Sequence, residues 1–293
     1  MERKQFIRLL AGTFGAMTLS SFRNFTGELP VQDFQMPVLF VGHGSPMNAI
    51  ESNSFSETWK KLPLEIPRPK AVLCVSAHWL TRGTSVTAME HPETIHDFGG
   101  FPKELFDVQY PAPGNPSLAI ETKNLIKSTA VTENHDWGLD HGTWSVVKQM
   151  YPDASIPVLQ LSIDFYKPAS YHYTLAQELM SLRKKGVLII GSGNMVHNLG
   201  MVDWTRLKEE NYGYDWALEL NQIFKDKILK WQHQDLMNYE SLHKAAKLAI
   251  PTPDHYYPLM YILGLADKKD SISFFNDQAV GGSLTMTSVK FGK

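Results

Sequence analysis

Three histidines stand where chemistry, more than packing, would use them. His43 lies in Gly42-His43-Gly44-Ser45-Pro46, His78 in Ser76-Ala77-His78-Trp79, and His197 in Gly191-Ser192-Gly193-Asn194-Met195-Val196-His197-Asn198. Each follows a short apolar run, at residues 37–41, 71–75 and 187–190. A neutral imidazole is the commonest side-chain ligand of a divalent ion, and it titrates near neutral pH, so it can hold a metal or move a proton. One such histidine is most simply a hydrogen-bonded surface residue; three at equivalent places point to one shared site. The glycines beside them (Gly42, Gly44, Gly191 and Gly193) let the backbone turn sharply and come close to an ion or substrate, or are plain turn residues.

A fourth candidate is His255, in Pro251-Thr252-Pro253-Asp254-His255-Tyr256-Tyr257-Pro258, where the prolines make a rigid loop. His141 lies in Gly138-Leu139-Asp140-His141-Gly142-Thr143-Trp144. There, an aromatic-walled pocket and a helix start capped by Asp140 carry equal weight. His91 and His96 belong to a proline- and glycine-rich loop that can border the mouth of a site. His172, His233 and His243 fall on amphipathic helical patterns, which predicts solvated positions.

The elements that must position these residues are short strands alternating with helices. Residues 156–163 and 85–89 add two further strand patterns, the latter suited to an edge, and residues 117–127, 168–184 and 215–231 have helical periodicity. In the last of these, Trp216, Leu220, Ile223, Phe224 and Trp231 share one face and are expected in the core. Residues 271–275 and 284–291 read as a late hairpin around Gly281 and Gly282, and residues 98–116 as a long ordered loop. The pattern predicts a single α/β domain over residues 31–293, its central sheet largely parallel or mixed and flanked by helices. In such sheets ligands bind beyond the carboxyl ends of the strands, which is where the three histidines fall.

Composition narrows the choice. With 293 residues, 43% of them hydrophobic, the chain can bury a substantial core. Lys+Arg 28 against Asp+Glu 30 gives no global field for nucleic acid or an anionic membrane surface. The single cysteine, Cys74, lies in an apolar run and is expected to be buried. Residues 1–30 read either as an export signal or as a disordered N-terminal extension. Arg3, Lys4, Gln5, Phe6 and Ile7 resemble a twin-arginine signal with one arginine replaced by lysine, which would make the protein periplasmic; otherwise it is cytoplasmic. No later stretch reaches the roughly 18 to 20 apolar residues of a membrane span. Phosphate-loop, dinucleotide-binding and His-Glu-x-x-His motifs are absent from the sequence, and Ser45 does not sit in a Gly-x-Ser-x-Gly elbow.

Taken in order, residues 42–46, 76–79, 94–102, 138–144, 191–198, 252–259 and 282–286 resemble the class III extradiol ring-cleavage dioxygenases, in the branch similar to 4,5-DOPA dioxygenase extradiol. The resemblance runs from about residue 37 to the C-terminus. It implies an α/β fold, one mononuclear divalent metal, and opening of a catechol ring by dioxygen. It also implies metal ligands at His43, His78 and His255, with His197 as acid/base or added ligand; His141, read from its own segment, is a second candidate catalytic histidine. Trp79, His96, Trp144 and Tyr256 become candidate walls for the substrate ring. Two-histidine, one-carboxylate iron sites use a glutamate; here Asp254 is the carboxylate beside His255, and an all-histidine site leaves Fe(II) and Zn(II) both open. The competing readings are a zinc hydrolase on the same histidines and a non-enzymatic binding protein of the same fold.

Overall fold

Along the strand Val38–Gly42 every residue is buried, both at odd and at even positions. Side chains alternate faces along a strand, so a strand buried throughout needs a packed layer on each side. The computed structural model, which describes residues 29–293, has those two layers. Its main sheet is formed by β1 (Val38–Gly42), β2 (Ala71–Ser76), β3 (Val158–Gln160), β4 (Val187–Gly193), β5 (Ile272–Phe275) and β6 (Ser288–Phe291). In space they run β3-β2-β4-β1-β6-β5. The first four are mutually parallel, and β6 and β5 join antiparallel, so the single α/β domain has a mixed sheet. Strand β4, late in the sequence, thus lies between β1 and β2.

Val38, Phe40, Leu73, Val75 and Ile189 face a core shared with helices Ala169–Gln177, Asp215–Leu229 and Tyr257–Leu265. Leu39, Val41, Val72, Cys74 and Ile190 face a second core with Trp59 of helix Ser54–Lys61 and Trp144 of helix His141–Met150. The period of two in the strands therefore fills both interiors, Cys74 among them. On helix Asp215–Leu229, Leu220 and Phe224 are buried while Trp216 and Ile223 pack at the margin. Among the described residues no helix is long and apolar enough to cross a membrane. The export-signal reading of residues 1–30 lies, up to residue 28, outside the described residues.

Several elements differ from their sequence patterns. Residues 156–163 do not form one strand: after Gln160 the chain leaves β2, and Ile163–Asp164 pairs instead with Leu80–Thr81. The strand Thr84–Thr87 lies outside the main sheet, paired with Val131–Asn134. The 168–184 helix tightens at Glu178 and Leu179, whose amides bond three residues back, and restarts as Met180–Arg183. The tail does pair antiparallel, β5 with β6, but residues 284–291 divide into Leu284–Thr285 and β6.

His172 and His233 correct a further expectation, because both are buried, at 0% and 7% exposure. Helical periodicity marks an apolar stripe but does not exclude a second layer over the polar flank. His172 Nδ1 lies 3.1 Å from the Tyr261 hydroxyl and His233 Nδ1 lies 3.2 Å from that of Tyr173; Nε2 of each has no hydrogen-bond partner among the described residues. Burial pushes both imidazoles down to about 4. A histidine with a folded pKa below its unfolded value of about 6.5 binds its proton more readily in the unfolded chain, so stability is full above that value and drains away as pH falls towards 4. His172 alone accounts for at most about 3 kcal/mol of this loss. Urea midpoints measured between pH 7.5 and 4.5 should fall less steeply in His172→Gln than in the wild type; equal slopes would remove His172 from the acid response.

Candidate metal centre

At the carboxyl ends of the parallel strands four imidazoles meet. His43 follows β1 directly, and its amide donates to the Gly193 carbonyl at the end of β4 (3.1 Å). His78 follows β2 after Ala77, whose amide donates to the Ser192 carbonyl (2.9 Å). The central strand β4 thereby holds the chain on both sides of it in register. His141 opens the helix His141–Met150, capped by Asp140, whose carboxylate accepts from the Thr143 amide at 3.1 Å. The two readings of this segment are compatible: the cap is present, and the first helical residue turns into the cluster.

His255 is placed by close backbone approach. Asn194 donates its amide to the His255 carbonyl (2.9 Å), and a Cβ on Gly193 would stand 2.2 Å from that same oxygen. Gly191 has the same relation to the Pro258 carbonyl, at 2.5 Å. Only glycine at both positions lets the start of helix Tyr257–Leu265 lie against β4 and bring His255 to the strand ends.

Ligand atoms of His43, His78 and His141 all lie within 4.8 Å of one another. The ring of His255 lies 5.3 Å from that of His43 and 5.1 Å from that of His78, centre to centre. His197 joins from outside the group, stacked on His255 with ring centres 3.6 Å apart and planes 5° from parallel.

The outer nitrogens show which inner ones are free. Ser192 Oγ donates to the Gly142 carbonyl (2.5 Å), so towards His43 it can only accept, and His43 Nδ1, 3.0 Å away, carries the hydrogen. Asp97 Oδ2 accepts from His141 Nδ1 (3.0 Å) and faces His78 Nδ1 at 3.4 Å. Asp254 accepts from His255 Nδ1. His43, His141 and His255 therefore have Nδ1 tied outward by a hydrogen bond and keep a lone pair on Nε2, while His78 Nδ1 faces the Asp97 carboxylate at 3.4 Å without a hydrogen bond. Between His43 and His78 the two Nε2 atoms stand 3.1 Å apart. At that distance the pair either shares one hydrogen, carried by His78 Nε2, or brings two lone pairs together around a cation. Two imidazole nitrogens bound to one ion at about 2.0–2.1 Å stand about 3 Å apart. Burial foremost, and then the neighbouring imidazoles, hold His43 and His78 well below the usual histidine range, so a proton is a poor cation here. The donor set fits a divalent metal ion.

Burial and the charge of His255 push His197 down to about 3. Burial would raise Asp97, but the hydrogen bond and charge of His141 outweigh it and keep the carboxylate ionised. Asp140 is shifted the other way, upward, by its burial and by the charge of Asp97.

The candidate substrate walls fall in two kinds of place. Trp144 is fully buried, with Nε1 donating to the Ile95 carbonyl (2.8 Å), and Tyr256 is fully buried, with its hydroxyl donating to the Leu236 carbonyl (2.9 Å). Trp79 is 3% exposed and stacks on Trp137. His96 is half-buried, its Nε2 3.0 Å from the Val108 carbonyl and its ring beside Phe98, Phe106 and Trp144. Phe98, which the motif reading passed over, stands edge-on to His141 with ring centres 5.6 Å apart. Asp97 and Ser192 were missed as well. Their signals were a carboxylate within the His96 loop and a polar residue between two glycines of a buried strand.

A family model described as the catalytic LigB subunit of aromatic ring-opening dioxygenase matches residues 37–287. A protein of Escherichia coli (strain K12) named 4,5-DOPA dioxygenase extradiol is 48% identical over 270 residues, which is 90% of this chain and 98% of that protein. One of the same name from Beta vulgaris is 35% identical over 259 residues, covering 86% of this chain and 95% of the relative. The crystal structure of an uncharacterized protein from Escherichia coli K12 superposes with a TM-score of 0.76 at 42% identity, covering 88% of this chain and all of the other.

Proposed function

The chain belongs to the aromatic ring-opening dioxygenase family of the catalytic LigB subunit, and from that premise we propose that it opens the ring of a catechol beside its two hydroxyls, using dioxygen and one divalent metal ion, Fe(II) or Zn(II). The observation that carries the reading is the convergence of His43, His78 and His141, whose ligand atoms lie within 4.8 Å of one another, with the Nε2 atoms of His43 and His78 3.1 Å apart. His43, His78 and His255 would hold the ion, with His141 within reach of the first two. Such an ion, when bound, supplies a common meeting place for the catechol oxygens and dioxygen and an electronic path between them.

The remaining work belongs to the protein. His197, which burial and the charge of His255 keep neutral, accepts a hydroxyl proton from the catechol and returns one at once to the reacting group, so that it acts as a transient proton carrier. Its face-to-face stacking on His255 keeps the ring beside the site while leaving it half-buried. Phe98, His96 and the aromatic groups around them form an apolar flank on which a flat ring can rest.

Oxygen consumption over a small panel of catechols, with metal content determined on protein purified anaerobically, tests the reading. Uptake of one dioxygen per ring opened, dependent on the ion, is the expected result. Product formation in the absence of oxygen would favour the zinc hydrolase instead.

A further inference from the structure

We propose that Asp97 is a positioning residue that sets the tautomers of two imidazoles at once, those of His78 and His141, and so determines how tightly the centre holds its ion. The inference rests on the reading of the histidine cluster as a metal centre.

The loop carrying Asp97 is fastened before it reaches the site. Ile95 donates its amide to the Leu139 carbonyl (2.7 Å), Leu139 donates to that of Glu93 (2.7 Å), and Trp144 Nε1 donates to that of Ile95. Gly138 permits this contact, since a Cβ there would stand 2.1 Å from the Glu93 carbonyl oxygen. The loop is thus strapped along the segment that leads into helix His141–Met150.

The two carboxylate oxygens then divide their work. Oδ1 accepts the backbone amide of His141 at 2.8 Å, as an ordinary helix-start contact would. Oδ2 does something a cap does not require: it lies 3.0 Å from His141 Nδ1 and 3.4 Å from His78 Nδ1. An ionised oxygen so placed accepts from His141 Nδ1–H and, by its charge at 3.4 Å, draws the hydrogen of His78 onto Nδ1 as well, which leaves Nε2 of both rings unprotonated. Asp254 serves one ring only, and Ser192 serves one ring through a neutral hydroxyl. Asp97 is the point at which two imidazole orientations depend on one charge.

Asparagine at this position cannot reproduce the pattern. If its oxygen takes the His141 amide, its NH2 group faces both Nδ1 atoms, and an imidazole meeting a donor there moves its hydrogen to Nε2. That tautomer has no lone pair to offer the ion.

The test uses the full-length protein stripped of metal, with histidine-selective 15N labelling to read tautomers and Zn(II) titration against a competing chelator to read affinity. Wild-type His78 and His141 are expected as Nδ1–H. Asp97→Asn should convert at least one of them to Nε2–H and weaken Zn(II) binding by about 10- to 100-fold, the usual cost of losing an outer partner. A purely structural aspartate would leave the tautomers unmoved. Nε2–H on both histidines in the wild type, a measurement that needs no variant, would overturn the proposal, as would unchanged tautomers and affinity in Asp97→Asn. Wild-type protein with Nδ1–H tautomers but no Zn(II) binding would defeat the metal reading of the cluster and leave the positioning role standing.

Discussion

His43→Ala and His78→Ala are each expected to leave a folded protein that purifies almost without metal and has lost ring-opening activity. Both side chains come from the ends of strands whose burial and pairing do not depend on the imidazole, so the sheet should survive their truncation. What goes is half of a pair of nitrogens 3.1 Å apart. Losing an outer partner of a ligand costs about 10- to 100-fold in affinity or activity, and losing the ligand itself should exceed that. Elemental analysis beside circular dichroism decides the matter: full metal occupancy in both folded variants would show that these two histidines are not ligands.

His197→Gln should separate two roles that geometry alone leaves joined. Glutamine has similar reach and remains polar, yet it exchanges no proton near neutral pH. If His197 moves protons, metal content and catechol binding persist while turnover falls by roughly 10²- to 10⁴-fold, the range of general acid/base catalysis. If His197 is a ligand, metal content and rate fall together. Normal metal with an undiminished rate would refute both roles. Because its ring is stacked on His255 at 3.6 Å, the variant also needs a check that His255 has not shifted, which the metal content itself provides.

The parts of this molecule legible in the sequence are those governed by short-range rules. Strands β1, β2 and β4 were visible as apolar runs ending in glycine or serine, and the histidines after them follow from the general place of ligands at parallel-strand ends. His255 was legible as a candidate from its proline-rich loop and from the family resemblance, but not its convergence on the site, since the contact that places it, Gly193 against the His255 carbonyl, joins segments far apart in the chain. Asp97 and Ser192 escaped for a related reason. An aspartate in a loop and a serine in a strand have many ordinary uses, and only the positions of His141 and Gly142 show what these two do. His172 and His233 were misjudged because a polar residue on a helix reads as solvated until a neighbouring helix or loop is known to cover it.

Strand β4 lies between β1 and β2 in the sheet, although it is synthesised after both. A chain emerging from the ribosome therefore exposes His43 and His78 well before the strand that spaces them exists. Parallel pairings between distant segments close late and slowly. A nascent chain shorter than residue 187 carries His43, His78 and His141 of the cluster and no place in which they can meet. An ion held by the cluster would load only after the sheet is complete, and a metal met earlier would capture loose imidazoles in the wrong geometry.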